Sequence, residues 1–214
     1  MSKGPTKVGQ LFVFYHSRVK PLYAAVQVQN ELPVEVLFEI HAALDHLSRQ
    51  HVSDFRESEK AVVQKAYSHL KRACLDIFKL KVRETIDQYN EIRKLDTSLI
   101  DNGEFDRQMR KLIDRIKKGA TEARRFEGLH KFDLYKQAEA FDLWEPVYAD
   151  CVTFNVDFYL NKNLDWARRK GFQLSTKKFL FSLFVTAITG GFLKDPLVDG
   201  LKFLAKLLWQ TLHS

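Results

Sequence analysis

The sequence predicts an all-α protein: a helical bundle with a long antiparallel helical arm and a C-terminal hydrophobic helical hairpin. The 214 residues include only 9 glycines and 5 prolines, so turn signals are few. From about residue 57 to 99 neither glycine nor proline interrupts a helical spacing of apolar residues. We therefore expect a bundle over residues 1–174, with its arm at about 57–123, and a hairpin over 175–214.

The helices follow from apolar spacing and from the few breaking residues. Pro21 should kink or divide the first helix, Pro33 should open the second, and Pro146 should start or kink the last of the bundle. The triplet 101–103, Asp-Asn-Gly, is the clearest turn. A narrow apolar face on the helix after this turn predicts pairing with the far half of the helix before it. The predicted helices cover about 7–29, 33–52, 57–99, 104–123, 132–144 and 146–170.

Charge and cysteine content indicate the kind of partner and the compartment. A net charge of +7 indicates an anionic partner: nucleic acid, anionic lipid or a phosphorylated small molecule. The basic residues are interleaved with 27 acids, so nucleic acid is not the favoured partner. Cys74 and Cys151 form no Cys-x-x-Cys pair, which is typical of a reduced chain with buried thiols. With no signal-peptide pattern at residues 1–10, a cytoplasmic location is expected.

The C-terminal segment differs from the charge-rich chain before it. Phe179 to Leu193 contains no charged side chain and would span about 22 Å as a helix, against about 30 Å for the hydrocarbon core of a bilayer. Pro196 then opens a basic amphipathic segment. Two interpretations stay open: membrane contact, or a helix pair buried in the bundle. The predicted membrane-contacting residues are Phe179, Leu180, Phe181, Leu183, Phe184, Val185, Ile188, Phe192, Leu193, Phe203 and Trp209.

Basic residues surround this segment. They are expected to contact anionic lipid or another anionic ligand, with about 1 kcal/mol for each charge near an anionic leaflet. By the positive-inside rule, their position next to the apolar run also favours a cytoplasmic bundle that is membrane-associated through its C-terminus. The residues are Arg168, Arg169, Lys170, Lys177, Lys178, Lys202 and Lys206.

Histidines and carboxylates at helical spacing are candidate metal ligands. His41 and Asp45 lie four residues apart beside His46, while His69 and Asp76 lie on the next helix. The chain has no His-Glu-x-x-His motif, and a single Glu-x-x-His occurs where a ferritin-like site uses two. The sequence therefore predicts neither a metal site nor a cofactor.

The pair Arg125 and His130, spaced as Arg-x4-His, resembles the active-site signature of HEPN ribonucleases. The segments 41–49 and 69–80 are also similar to helix pairs of HEPN-type bundles from bacterial defence loci. The resemblance implies that Arg125 and His130 would cleave a phosphodiester. Phe126 stands where that family usually carries a polar residue.

The function predicted from these features is a non-enzymatic effector or adaptor. Its helical bundle would sense a protein partner or an anionic ligand, and its C-terminal hairpin would engage an anionic membrane surface. The chain resembles small membrane-acting effectors of bacterial anti-phage defence, which implies homo-oligomerisation at the membrane. One alternative is a soluble helical module that binds protein or nucleic acid, with the C-terminal segment buried in its core or in an oligomer seam. The other is a HEPN-like ribonuclease.

Overall fold

The computed structural model describes residues 4–27, 33–49, 57–97, 100–130, 132–170 and 179–182. Within these ranges the regular secondary structure is helical and no strand occurs, so the predicted all-α bundle is confirmed. The helices are Val8–Phe14 (α1), Lys20–Gln27 (α2), Val34–Ser48 (α3), Glu59–Ile92 (α4), Glu104–Leu129 (α5), Leu134–Glu139 (α6), Phe141–Phe154 (α7) and 162–170 (α8).

The chain forms two compact units, Met1–Asp165 and Trp166–Ser214. The helical bundle lies in the first unit. In the second, the end of α8 and the helical residues 179–182 are described. The predicted boundary at residue 174 and nearly all of the predicted hairpin lie outside the described residues.

The long helix α4 is the centre of the bundle. Its 34 residues extend about 51 Å. The side chain of Ser58 caps its N-terminus by accepting a hydrogen bond from the backbone N–H of Ala61 at 3.3 Å. Because α1, α2, α3, α6 and α7 all pack on α4, it is buried on more than one side. Its buried apolar residues are Val62, Val63, Ala66, Leu70, Ala73, Cys74, Leu75, Ile77, Phe78, Val82, Tyr89 and Ile92.

The predicted arm takes a different form in the structure. The narrow apolar face of α5 is buried as expected, but its main partner is α7, which also packs along α4. Phe154 packs against Tyr89 of α4, and Phe158 packs against Phe105 of α5. Trp144 donates a hydrogen bond to Glu127 of α5, and all three aromatic side chains are buried. The far half of α4 and α5 therefore belong to a three-helix layer with α7 and do not form an isolated helical pair.

The predicted turn between α4 and α5 is confirmed by its backbone. Asp101, Asn102 and Gly103 have φ values of 47°, 54° and 84°. Aspartate, asparagine and glycine are the residues that adopt this left-handed conformation most readily. The two long helices can therefore be joined through a tight reversal.

Neither Pro21 nor Pro146 ends the helix in which it lies. A π-helical turn, Tyr15–Val19, precedes Pro21 and joins α1 to α2 without a break. Pro146 lies inside α7, which begins earlier, at Phe141. A π-helical turn shifts the hydrogen-bond partners by one residue, which accommodates local irregularity without ending a helix.

Both cysteines are free and buried, as the sequence predicts. Burial raises the pKa of the Cys74 thiol to about 12 and that of Cys151 to about 11. Because the thiolate is the reactive form, neither thiol is expected to act as a nucleophile near neutral pH.

A close approach of α5 to α7 predicts opposite effects for two glycine substitutions on one helix. A Cβ atom on Gly119 would lie 2.7 Å from Cγ2 of Val147, whereas a Cβ on Gly128 would meet nothing within 4 Å. Overpacking costs about 1–3 kcal/mol and alanine gains up to about 1 kcal/mol over glycine in a helix. We expect Gly119→Ala to lower the free energy of unfolding by about 1 kcal/mol and Gly128→Ala to raise it by about 0.5 kcal/mol. Urea denaturation measures both, and equal effects would contradict the close approach.

Candidate anion-binding site

The packing of α3 against the first half of α4 places ionisable side chains together. Glu39 lies beside His69 and Arg72, while His46 lies beside His69, which is the pairing of antiparallel helices. These polar residues lie beside the apolar residues through which α3 and α4 pack together. The helix–helix seam therefore ends in a charged cluster at its edge.

A pocket of about 150 Å³ opens at this edge, and we refer to it as the histidine–arginine pocket. All of its lining side chains carry a potential hydrogen-bond donor. Most of them belong to the first half of α4, with one contribution each from α3 and α6. The lining residues are His46, Lys65, Ser68, His69, Arg72 and Tyr135.

Arg72 is the most buried charge in the cluster, with 11% of its side chain exposed. Its Nη2 lies 3.1 Å from Oε2 of Glu39 and contacts the His69 ring. Its Nε is buried and has no hydrogen-bond partner. Buried donors in proteins are nearly always paired, so an unpartnered N–H on a residue that lines the pocket favours a ligand with an acceptor group. A guanidinium is also the side chain best suited to carboxylate or phosphate oxygens.

The histidines determine the net charge of the pocket. Arg72 faces Glu39, and Nζ of Lys65 lies 2.6 Å from Oε2 of Glu57, so each fixed cation has an acidic partner. Nδ1 of His69 lies 2.7 Å from Glu39, and its ring centroid lies 5.0 Å from that of His46. Protonation of the His46 imidazole would make the cluster positive and favour an anion.

The pKa of His46 indicates a positive local potential. Partial burial lowers this pKa below the ordinary value of 6.5, and the positive charges of His69, Arg49 and Lys65 lower it further. Asp45 opposes these effects to a smaller extent. An anion bound among the same groups would reverse the electrostatic contribution and raise the pKa of His46.

This shift predicts a pH dependence of stability. Because the folded-state pKa of His46 lies below the unfolded value of 6.5, its contribution to stability is complete above pH 6.5 and is lost as pH falls through the folded value. We expect His46→Gln to flatten the fall in unfolding free energy on acidification below pH 6.5. His41 is exposed, so His41→Gln serves as the control. We expect it to leave the pH dependence of the unfolding free energy unchanged. Urea denaturation at a series of pH values measures it; identical slopes for wild type and His46→Gln would contradict the assignment.

The candidate metal ligands do not form one cluster among the described residues, because two of them pair with basic side chains. His46 and His69 do come together, but Asp45 pairs with Arg49 and Asp76 pairs with Lys79. Within the described ranges, no group of three or more potential ligands could hold a metal ion.

Arg125 and His130 lie at the C-terminal end of α5. Arg125 is exposed, and the ring of His130 packs against Phe126 with centroids 4.7 Å apart. Five residues on a helix correspond to a rotation of about 140°, so the two side chains leave the helix in different directions. Their cooperation in phosphodiester cleavage is not tested by this arrangement and stays a prediction.

The described part of the C-terminal unit includes some of the predicted membrane and lipid residues. Phe179, Leu180 and Phe181 are 64%, 45% and 68% exposed. Arg168, Arg169 and Lys170 lie on α8, where Nζ of Lys170 is 4.7 Å from the Trp166 ring centroid. Among the helices that the structure describes, none is both long and apolar enough to span a bilayer. The remaining predicted residues lie outside the described ranges: Leu183, Phe184, Val185, Ile188, Phe192, Leu193, Phe203, Trp209, Lys177, Lys178, Lys202 and Lys206.

Several pocket residues were not predicted as a site. No sequence motif includes Glu39, Lys65, Ser68 or Tyr135. Arg72 is one of many basic residues in the sequence. The signal that could have indicated the site is the spacing of His69 and Arg72, which lie three residues apart and therefore on one helical face.

Comparison of the chain with protein-family models, with curated proteins and with solved structures finds no match.

Proposed function

We propose that this protein is a non-enzymatic effector that binds an anionic ligand in the histidine–arginine pocket and engages an anionic membrane surface through its C-terminal segment. The observation that carries the ligand-binding part is the buried, unpartnered Nε of Arg72 at a pocket lined by His46, His69 and Lys65. The membrane part rests on the sequence pattern after residue 177.

The size and chemistry of the pocket favour a phosphate or a group of similar size. A volume of about 150 Å³ is well below the roughly 300–1,000 Å³ of pockets that enclose a whole small molecule. Guanidinium, ammonium and imidazole donors match tetrahedral oxyanions. The pocket is therefore suited to hold the phosphate end of a ligand whose remainder lies on the surface.

The same geometry favours binding over catalysis. Both fixed cations already face carboxylates, Arg72 facing Glu39 and Lys65 facing Glu57. An acid–base role for His46 and His69 is accordingly not proposed.

The C-terminal segment would bind the membrane surface. An uncharged stretch from Phe179 to Leu193 followed by a basic amphipathic segment is typical of chains that lie at a bilayer interface. The exposed Phe179 and Phe181 support this interpretation, since exposed aromatic side chains gain from contact with lipid. Action in bacterial anti-phage defence, through homo-oligomers at the membrane, is what the resemblance implies and forms part of the proposal.

Flotation with liposomes tests the membrane part. The full chain is mixed with vesicles of anionic phospholipid, with and without inorganic pyrophosphate, and compared with Val185→Asp. We expect the wild type to float with the vesicles and Val185→Asp to stay in solution. The matched control Val13→Asp, at a position 66% exposed in the bundle, is expected to float like the wild type.

The alternatives appear as distinct outcomes of this experiment. If the wild type stays in solution and Val185→Asp unfolds, the segment is part of a core or an oligomer seam, and the soluble-module alternative replaces the membrane part. Loss of flotation in both aspartate variants would point to general charge effects and would also contradict the proposal.

A further inference from the structure

A second cleft lies on the other half of α4, between α2, α7 and the π-helical turn Asn155–Tyr159. Its volume is about 370 Å³, within the range of small-molecule sites. It shares no lining residue with the histidine–arginine pocket, and Gln88 lies about 28 Å along α4 from His69. We refer to it as the glutamine cleft. Its polar lining residues are Lys81, Arg83, Glu84, Asp87, Gln88, Glu91, Tyr148 and Tyr159.

The charge of the glutamine cleft is opposite to that of the protein as a whole. The chain carries a net charge of +7, yet the acids Glu84, Asp87 and Glu91 outnumber the bases among the residues that line this cleft. Their spacing along α4 is i, i+3 and i+7, which places them on one face of the helix. The cleft is therefore a local region of negative charge on a basic protein.

Gln88 provides an observation that is independent of the acidic residues. It is 8% exposed, and its Nε2 donates to Oε1 of Glu84 at 2.8 Å and to Oδ1 of Asn155 at 3.3 Å. Its Oε1 is buried and accepts no hydrogen bond. The bond to Glu84 fixes the orientation of the Gln88 amide, because an exchange of oxygen and nitrogen would bring the amide oxygen against a carboxylate oxygen. The unpartnered atom is thus an acceptor, and it requires a donor.

The carboxylates beside Gln88 favour a donor that carries a positive charge. Glu84 is already occupied by Nζ of Lys81 at 2.8 Å and by Gln88. Glu91 accepts from the hydroxyl of Tyr159 at 3.1 Å through one oxygen, Oε2. In the part of the chain that the structure describes, Asp87 is exposed and takes part in no ion pair. A donor that also carries a positive charge satisfies Gln88 and Asp87 together.

We propose that the glutamine cleft binds an alkylguanidinium or alkylammonium group. The cation would donate to Oε1 of Gln88 and pair with Asp87 and Glu91, while its alkyl chain lies against the apolar wall formed by Val26 and Leu80. Tyr148 and Tyr159 also line the cleft, and tyrosine is a residue type whose ring can contact a guanidinium. The source is a free amine, such as a polyamine or agmatine, or an arginine or lysine side chain of a peptide. This site is independent of the anion pocket and of the membrane proposal.

Calorimetric titration of the full chain with agmatine tests the site. We expect agmatine to bind, and butylurea, which has a similar shape but no charge, to show no binding. Asp87→Asn is expected to weaken agmatine binding about fivefold, consistent with one partly exposed ion pair. Gln88→Met is expected to weaken it about tenfold, through loss of the acceptor. Asp114→Asn, which removes an exposed acid on α5, is the matched control and should change the affinity less than twofold.

The outcomes separate the proposal from simple charge attraction. Equal binding of butylurea, or equal weakening by Asp87→Asn and Asp114→Asn, would overturn it. If Gln88→Met does not fold, Asp87→Asn decides, because Asp87 is exposed and outside the core. A capped Gly-Arg-Gly peptide distinguishes the sources: tighter binding than agmatine assigns the cleft to a protein arginine, and weaker binding assigns it to a free amine. No binding of either probe would refute the site.

Discussion

Arg72→Gln is expected to weaken the binding of inorganic pyrophosphate about 30-fold, because one charge-assisted hydrogen bond from a buried guanidinium contributes about 2 kcal/mol. Arg72 is the only residue lining the histidine–arginine pocket that the described structure leaves with a buried, unpartnered donor. Calorimetric titration of the wild type and the variant measures the difference. The loss should appear in affinity, with the stoichiometry unchanged.

Two further variants make this result specific. Arg107→Gln removes an arginine that is 78% exposed and pairs with Glu104 three residues away, and it should leave pyrophosphate affinity within twofold of the wild type. Arg72→Lys keeps the charge but loses the planar fork, so we expect an intermediate affinity. If Arg107→Gln weakens binding as much as Arg72→Gln, pyrophosphate is attracted by the overall charge and the pocket is not its site.

A loss of fold must be distinguished from a loss of binding in Arg72→Gln. Removing the guanidinium leaves Glu39 facing His69 alone, and some stability will be lost with the ion pair. The double variant Arg72→Gln/Glu39→Gln removes both charges, and we expect it to recover stability without recovering pyrophosphate affinity. Recovery of both would mean that Arg72 acts only on the fold.

The long helices could be predicted from the sequence because their signal is local. An uninterrupted periodic pattern at about 57–99 corresponds to α4 at Glu59–Ile92, and the Asp-Asn-Gly triplet corresponds to the reversal before α5. The partner of α5 could not be predicted in the same way. Periodicity identifies which face of a helix is buried but not which helix covers it, and here α7 takes the place expected for the far half of α4.

The candidate site shows the same division between local and non-local information. His46 and His69 stand out in the sequence as ionisable residues on neighbouring helices. Their neighbour Glu39 lies 30 positions from His69, and only the register between α3 and α4 brings the two together. The unpartnered Oε1 of Gln88 likewise could not be predicted from the sequence. The position of its amide depends on a contact with Asn155, which is 67 positions away.

Trp144 is the residue on which the junction of α4, α5 and α7 depends most. It is fully buried, and its Nε1–H donates to Oε1 of Glu127 on α5. Oε2 of Glu127 in turn lies 2.9 Å from Nζ of Lys79 on α4, which also pairs with Asp76 at 3.3 Å. Trp144 is the largest fully buried side chain among the described residues, and it also takes part in a polar connection across three helices.

Trp144→Ala is expected to lower the free energy of unfolding by about 3–5 kcal/mol, the usual cost of deleting a buried aromatic side chain. This is a large fraction of the roughly 5–15 kcal/mol that stabilises a typical domain. Trp166→Ala, at a position 46% exposed, is the matched control and should change stability by less than about 0.5 kcal/mol. Trp144→Phe keeps most of the volume but loses the N–H that bonds Glu127, so we expect a smaller loss of stability. Urea denaturation measures all three; a Trp144→Ala variant as stable as Trp166→Ala would show that α7 does not hold α4 and α5 together through this side chain.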